Sequence, residues 1–265
     1  MKVSVFNIVS EALDMLKFSS KTALENAGNE FDYIIICWKP TEEVLDWIKG
    51  RNFEYHLYQT DSSLNFIQNL RNCFNMGFDK CFERNDYACG INTDMVFYKN
   101  WLAKLAKYAG DDRIINCNQV EPGVYPTLHI TKNFGLPVEG KFDLEGFYDF
   151  CSQIYQDKLL TEEEWGRRAD ATPHLIHQSV WNRFGPWQVK TVADIAFFDR
   201  AKAGGIKNMK SLGSIVYHYG AVETKRVENR NLILRLRKGV RQKLGSVHNK
   251  YLARRGAGEG SSYRR

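Results

Sequence analysis

The spacing of hydrophobic and polar positions changes repeatedly along the first hundred residues. Four short apolar runs predict strands: VSVFNIV at 3–9, DYIIICW at 32–38, FEYHLY at 53–58 and YACGIN at 87–92. Helical spacing between these runs predicts helices over residues 10–28, 40–50 and 64–80. The second run is apolar at nearly every position, which is typical of a strand covered on both faces.

This alternation of strands and helices limits the fold. Helices of this length between strands imply crossover connections, so we expect an α/β fold with a mainly parallel sheet and helices on both faces. Ligands of open parallel sheets bind beyond the carboxyl ends of the strands. Asn92, Thr93 and Asp94 follow the fourth predicted strand and therefore lie at such an end.

Asp94 is an unusual residue to find directly after a buried strand. A low dielectric disfavours an ionised carboxylate unless a cation, a hydrogen-bond donor or water compensates it. If the strand geometry continues, Asn92 and Asp94 point the same way and face one ligand. Mn²⁺ or Mg²⁺ bridging a diphosphate would accept these oxygens. The alternative is an Asx turn, or a cap for a helix that begins near Lys99.

Composition narrows the class of protein. A chain of 265 residues that is 43% hydrophobic can bury a substantial core. The six cysteines form no C-x-x-C pair and no zinc-like cluster, which predicts buried free thiols in a reducing compartment, the cytoplasm. No apolar run approaches the length of a membrane helix, and the N-terminus lacks the pattern of a secretory signal.

Basic charge is concentrated at the C-terminus. Residues 221–265 contain 13 Lys or Arg and 3 Asp or Glu, whereas residues 1–220 contain 24 and 28. Residues 230–255 alternate Leu or Ile with Arg or Lys, which predicts a basic amphipathic helix, and the last ten residues are predicted to be disordered. Three hypotheses remain for this helix: it binds an anionic membrane surface, it binds nucleic-acid phosphates, or it packs on its own domain.

Several segments, taken in order, resemble nucleotide-sugar glycosyltransferases of the GT-A fold, particularly the inverting family 2. The first two strands and an Arg-Asn pair at Arg71 resemble the family's nucleotide-binding half. GINTDMVFYKNW resembles its short acidic metal-binding motif. The matching segments of the second half are HLIHQSVWNRFGPW, VADIAFFDRAKAGGIK and VYHYGAVET.

The resemblance implies a role for each matching residue. Asp94 would bind a divalent cation on the diphosphate of the sugar donor, and Asn92 would bind a ribose hydroxyl. Arg71 would lie near the nucleotide, where a planar cation suits phosphate or a base edge. Asp194 would be the catalytic base that deprotonates the acceptor hydroxyl. His218 would complete the metal shell or contact phosphate.

The sequence also departs from the family pattern. Asn92 stands where the family usually has Asp, and Ala193-Asp194 stands where it often has Glu-Asp. Other interpretations stay open: Asp194 could cap its helix, His218 could be an ordinary strand residue, and Arg71 could form a surface ion pair. Trp181 and Trp187 could belong to the core or to an acceptor platform.

The resemblance implies a domain organisation. Residues 1–224 would form the glycosyltransferase domain, with a nucleotide-sugar half at 1–110 and an acceptor half at 111–224, and residues 225–265 would form the basic tail. The expected reaction moves a sugar, with inversion, from a nucleoside-diphosphate sugar, UDP-linked in the first instance, to a hydroxyl acceptor. The acceptor would be a cell-envelope or lipid-linked glycan or a modified nucleic-acid base. The alternative is a catalytically impaired module that binds nucleotide sugar or a polyanion.

Overall fold

A computed structural model describes residues 1–123, 130–165, 173–188 and 193–220, and for residues 193 and 194 it describes only the backbone. Residues Met1–Tyr219 form one compact unit. The predicted basic tail, residues 225–265, lies outside the described residues. The division into a nucleotide-sugar half and an acceptor half stays a prediction, since strands from both ranges contribute to one sheet.

The described residues contain ten strands and eight helices. The strands are β1 (Val3–Val9), β2 (Asp32–Trp38), β3 (Glu54–Tyr58), β4 (Tyr87–Asn92), β5 (Met95–Phe97), β6 (Arg113–Glu121), β7 (Ile130–Thr131), β8 (Leu159–Thr161), β9 (His174–His177) and β10 (Lys207–His218). The helices are α1 (Leu13–Glu25), α2 (Glu42–Gly50), α3 (Phe66–Phe82), α4 (Trp101–Ala106), α5 (Leu144–Ile154), α6 (Glu162–Trp165), α7 (Gln178–Phe184) and α8 (Ala193–Ala203).

These strands form a single sheet in the order β3-β2-β1-β4-β9-β6-β10-β5. The first four are mutually parallel, β9 runs antiparallel to both of its neighbours, and β6 is parallel to β10. β7 and β8 pair outside this path with β6 and β10. The predicted α/β fold with a mainly parallel sheet is therefore confirmed.

The predicted boundaries are accurate where side chains specify them locally. Three predicted strands coincide with β1, β2 and β4. The strand predicted at 53–58 corresponds to β3, which begins one residue later, at Glu54. Helix α2 begins after Thr41, whose hydroxyl accepts a hydrogen bond from the Val44 amide. Helix α3 begins after Asn65, which forms a reciprocal capping box with Gln68. The helix starts are thus set by N-caps.

Both faces of the sheet are covered. One apolar cluster packs residues of β1, β2 and β4 against α1, α2 and α4, and a second packs the opposite face against α3, α7 and α8. A third cluster joins β5, β6 and β10 to α5. This two-sided cover explains why β1 and β2 are apolar along almost their whole length.

Phe6 shows how closely the second cluster is packed. Its ring makes edge-on contacts with Phe74 and Phe78, at centroid distances of 5.8 and 4.9 Å. A Cβ at Gly90 would lie 2.7 Å from this ring, and a Cβ at Gly77 would overlap it. Both glycines are required because only a residue without a side chain leaves room for Phe6 between α3 and β4.

The predicted state of the cysteines is confirmed. All six thiols are free and buried. Burial raises the pKa of Cys37, Cys73 and Cys117 to about 12, and that of Cys81 and Cys89 well above the ordinary value. Thiolates are disfavoured at these five positions, so none of the five is suited to act as a nucleophile. Within the described ranges, no helix is long and apolar enough to cross a membrane.

Candidate metal and donor site

Asp94 lies where the chain leaves the parallel part of the sheet. β4 ends at Asn92, the chain turns at Thr93 and Asp94, and β5 begins at Met95. β4 pairs with β1 and β9, whereas β5 pairs with β10. The premise that strand geometry continues from Asn92 to Asp94 is therefore wrong, because a turn separates the two strands.

Helix α1 fixes the turn from both sides. The Ser19 hydroxyl donates to the Asn92 carbonyl at 3.1 Å. Asn26 Nδ2 donates to the Phe97 carbonyl at 3.0 Å, and the Phe97 amide donates to Thr22 Oγ1 at 3.4 Å. Because both flanking strands are held by one helix, the backbone around Asp94 has little freedom.

His218 reaches Asp94 through strand pairing. β10 runs antiparallel to β5 with His218 opposite Met95, and the Tyr219 amide donates to the Asp94 carbonyl at 3.0 Å. His218 Nε2 consequently lies 3.6 Å from Asp94 Oδ2, and the side chains are 23% and 10% exposed. The structure thus brings together two residues that are more than a hundred positions apart in the sequence and that were both predicted as metal ligands.

Glu121 is a third ionisable residue of this site, and it was not predicted from the sequence. It is the last residue of β6, and its Oε1 lies 3.5 Å from His218 Nδ1. The sequence signal was the one that identified Asp94, an acidic residue at the end of a buried strand. Residues 113–121 were not predicted to be a strand, so the signal was not recognised.

The pair Asp94 and His218 fits a divalent cation. Asp94 as a whole residue is only 7% exposed. Within the described residues its Oδ1 is buried with no hydrogen-bond partner. A buried carboxylate oxygen in that state calls for a compensating cation or donor. The same part of the chain contains no cluster of three or more His, Cys, Asp or Glu arranged as a metal site. Any further ligands would have to come from the donor or from water, as Mg²⁺ sites commonly have.

The capping alternative for Asp94 is wrong. Helix α4 begins at Trp101, and its N-cap is Asn100 in a left-handed conformation with φ of 59°, without a side-chain cap hydrogen bond. Asp94 precedes β5 and lies well away from that helix start.

Arg71 and Asp194 lie on helices that cover one face of the sheet. Arg71 is half-buried on α3, which packs against β1, β2 and β4. Asp194 lies in the first turn of α8, but its side chain is outside the described part. Its role as catalytic base stays a prediction, and the alternative that it caps the helix stays open. The nucleotide contact of Arg71 stays a prediction as well.

Helix α3 also holds the segment that leads towards α8. Asn75 accepts a hydrogen bond from the Trp187 amide at 2.8 Å and donates to the Trp187 carbonyl at 3.1 Å. Arg200 of α8 donates to the Phe184 and Pro186 carbonyls. Trp181 and Trp187 are 6% and 4% exposed and belong to the second apolar cluster, so the core interpretation of both is confirmed.

Comparison with known proteins gives matches by structure only. No protein-family model matches the sequence, and no curated protein matches it. Among solved structures, GalNAc-T7 with UDP, GalNAc and Mn²⁺ is similar over 84% of this chain and 44% of its own, at 13% identity and a TM-score of 0.58.

Two microbial structures are similar over 83% of the chain. TarS 1–349 of S. aureus matches over 60% of its own length, at 10% identity and a TM-score of 0.55. The mannosyltransferase PcManGT of Pyrobaculum calidifontis, in complex with GDP-Man and Mn²⁺, matches over 57% of its length, at 9% identity and a TM-score of 0.55. The chain therefore spans less than two thirds of each of these solved chains. At such identities the likeness concerns the fold, and this chain has a GT-A-like fold.

Proposed function

We propose that this protein is a glycosyltransferase that uses a nucleoside-diphosphate sugar and a divalent cation. The observation that carries the proposal is the Asp94–His218 pair, in which a half-buried imidazole faces a buried carboxylate at a carboxyl end of the sheet. Ligands of α/β sheets bind at this edge. The structural neighbours add support, since GalNAc-T7 and PcManGT contain Mn²⁺ together with UDP or GDP-Man.

Different residues of the chain would contact different parts of the donor and its cation. Asp94 and His218 would hold Mn²⁺ or Mg²⁺, since both ions accept carboxylate oxygens and His is a common ligand of transition metals. A bound cation neutralises negative charge that develops on the leaving diphosphate. Asn92 would hydrogen-bond a ribose hydroxyl, and Arg71 would contact phosphate or the base edge.

Asp194 is the proposed base of a single displacement. Its carboxylate would accept the proton of the acceptor hydroxyl while that oxygen bonds to the anomeric carbon and the bond to the diphosphate breaks on the opposite side. This geometry inverts the anomeric configuration, as expected for a member of family 2.

The proposal extends to the donor nucleotide, the acceptor and the cellular compartment. We propose a UDP-linked donor first and a GDP-linked donor second, because both nucleotides occur in the structural neighbours. The acceptor would be a cell-envelope or lipid-linked glycan or a nucleic-acid base that carries a hydroxyl, with the tail contacting a membrane surface or phosphates. Six buried free thiols favour the reducing cytoplasm as the working compartment.

The test is release of nucleoside diphosphate from a panel of UDP- and GDP-sugars, with and without Mn²⁺. We expect Mn²⁺-dependent release with at least one donor, and a loss of about 10²-fold or more in the Asp94→Ala variant, because its substitution removes the buried carboxylate of the site. Asp46→Ala is the matched control, since Asp46 is exposed on α2. Equal Mn²⁺-dependent release by Asp94→Ala and wild type would refute the assignment.

One observation favours a second function. Asn92 and Ala193 replace two carboxylates of the family pattern, and a site with fewer negative charges holds a cation less tightly. A catalytically impaired module would still bind a nucleotide sugar. Its signature is a rise in melting temperature with a donor and Mn²⁺ but no nucleoside diphosphate release with any donor or acceptor.

A further inference from the structure

We infer that Glu121 is a positioning residue that orients His218 towards the cation site. The inference rests on the proposed function, because it assigns a role within the same Asp94–His218 site. Its starting point is that the two nitrogens of His218 face different carboxylates: Nε2 lies 3.6 Å from Asp94 Oδ2, and Nδ1 lies 3.5 Å from Glu121 Oε1.

The two carboxylates lie beside different nitrogens of the imidazole ring. The lone-pair directions of Nδ1 and Nε2 diverge, so one cation bound at Nε2 beside Asp94 is not within reach of Nδ1. The described residues contain no group of three His, Cys, Asp or Glu that could hold a metal ion together. The ligand pair is therefore Asp94 and His218, and Glu121 acts through the histidine.

The backbone holds Glu121 in this place from both sides. β6 and β10 are parallel neighbours with Val120 opposite Tyr217, which puts Glu121 beside His218 at the ends of the two strands. On its other side Glu121 pairs with Thr131 of β7, and the Lys132 amide donates to the Glu121 carbonyl at 2.9 Å. Glu121 therefore projects from a strand end whose backbone is paired on both edges.

A carboxylate in this position can hold the proton of His218 on the nitrogen that a cation does not use. Neutral imidazole has one N–H, and with a cation at Nε2 beside Asp94 that N–H is on Nδ1, where the Glu121 carboxylate can accept it. Metal-binding histidines in proteins commonly donate the second N–H to a carboxylate in this way. At 21% side-chain exposure for Glu121 and 23% for His218, water competes only partly for this contact.

The experiment uses the full chain, three test variants, and Asp94→Ala and His218→Gln as references. In Glu121→Ala the acceptor is lost; in Glu121→Gln an amide oxygen can still accept the N–H. The matched control is Glu54→Gln, since Glu54 Oε1 lies 3.0 Å from His56 Nε2 on β3 and Glu54 has 28% side-chain exposure. This control removes a carboxylate from a histidine that lies outside the proposed site.

Two readouts are taken from each variant. The first is Mn²⁺ affinity without donor, by calorimetric titration: we expect about 10- to 100-fold weaker binding for Glu121→Ala, a smaller loss for Glu121→Gln, and no change for Glu54→Gln. The second is the His218 tautomer in the metal-free protein, from ¹H–¹⁵N correlation spectra of the ring nitrogens, assigned with His218→Gln. It is measured with Asp94→Ala added to each variant, because the Asp94 carboxylate beside Nε2 would otherwise compete for the proton. We expect Nδ1–H in Asp94→Ala alone and with Glu121→Gln, and a loss of this preference with Glu121→Ala.

Each outcome separates this inference from the proposed function. An Nδ1–H tautomer that is unchanged in Glu121→Ala overturns the positioning role even if the protein is an active transferase. A Glu121→Gln variant that loses as much Mn²⁺ affinity as Asp94→Ala also overturns it, because Glu121 would then be a ligand. If wild type binds no Mn²⁺ but Glu121→Ala changes the His218 tautomer as expected, the orientation of His218 by Glu121 stands and the metal assignment of the proposed function fails.

Discussion

The strands β1, β2 and β4 differ from β6 and β10 in what they bury. Apart from Ser4 and Asn7, the buried residues of the first three strands are apolar or glycine, and they pack against helices on both faces. Buried polar residues are numerous in β6 and β10: Asn116, Asn118, Gln119, Asn208, Lys210, Ser211 and Ser214. β10 also changes register between Ser211 and Ile215.

This difference separates a scaffold from a site. Apolar strands with two-sided cover gain stability from burial, and the gain is roughly proportional to the area removed from water. Burying a polar group costs free energy unless it finds a hydrogen-bond partner, so such residues tend to be kept where a ligand or a specific geometry needs them. The proposed site draws on both groups: Asp94 follows the apolar strand β4, whereas Glu121 and His218 end the polar strands β6 and β10.

The largest stability effect is expected in the scaffold, at Gly77. Gly77→Ala should lower the free energy of unfolding by about 3 kcal/mol, because its new Cβ would overlap the Phe6 ring in a closely packed cluster. Urea denaturation followed by circular dichroism measures the change.

The control for this substitution is Gly50→Ala at the end of α2, where a Cβ meets nothing within 4 Å. It should leave stability unchanged or raise it by up to about 1 kcal/mol, since Ala is the better helix former. Equal stabilities of the two variants would show that the scaffold adapts and that the proposed contrast with the polar strands is wrong.

A smaller effect is expected among the polar strands, at Asn116. Its Nδ2 donates to Asn208 Oδ1 at 2.7 Å and to the Met209 carbonyl at 2.9 Å. Asn116→Ala should cost about 2 kcal/mol, because a buried acceptor on Asn208 and a partly buried carbonyl of Met209 lose their donor. The double variant Asn116→Ala/Asn208→Ala should cost less than the sum of the single variants, as expected for partners in one network.

Urea denaturation of wild type, the two single variants and the double variant measures the coupling free energy. The control is Asn29→Ala, on the surface, which should change the free energy of unfolding by less than about 0.5 kcal/mol. Strictly additive losses would mean that the two amides stabilise the fold independently and that β6 and β10 do not share a polar network.

The smallest effect on stability is expected at alkaline pH, from the buried Tyr33 hydroxyl of the scaffold. Burial raises the pKa of Tyr33 to about 12, against the hydrogen bonds of its hydroxyl with Ser20 and Asn7. The folded protein thus favours neutral tyrosine, so the stability contribution is present below the unfolded pKa of about 10 and is lost as pH rises through about 12.

For a shift of this size the loss is about 1.4 kcal/mol at pH 11 relative to neutral pH. Tyr33→Phe lacks the titrating group, and its stability should fall less between pH 9 and pH 11 than that of wild type in parallel denaturation series. Parallel curves for the two proteins would mean that Tyr33 ionises in the folded state as easily as in the unfolded chain.

Local patterns predicted the scaffold well. The runs VSVFNIV, DYIIICW and YACGIN coincide with β1, β2 and β4, because a buried parallel strand must be apolar along its whole length. The helices between them were predicted from their helical spacing, and in the structure α2 and α3 begin at the N-caps Thr41 and Asn65, which act within one turn of their own position. β6 was not predicted as a strand, because its buried amides obscure the apolar pattern on which the prediction relied.

The sequence by itself determined the alternation of strands and helices, the buried state of the cysteines, and the presence of Asp94 at the end of a buried strand. Only the tertiary structure decided that the chain turns at Asp94, that His218 pairs opposite Met95, and that Glu121 lies beside the second nitrogen of His218. The reason is physical. Period and capping are local properties of the chain, whereas the register of β10 depends on burial and pairing with strands that are distant in the sequence.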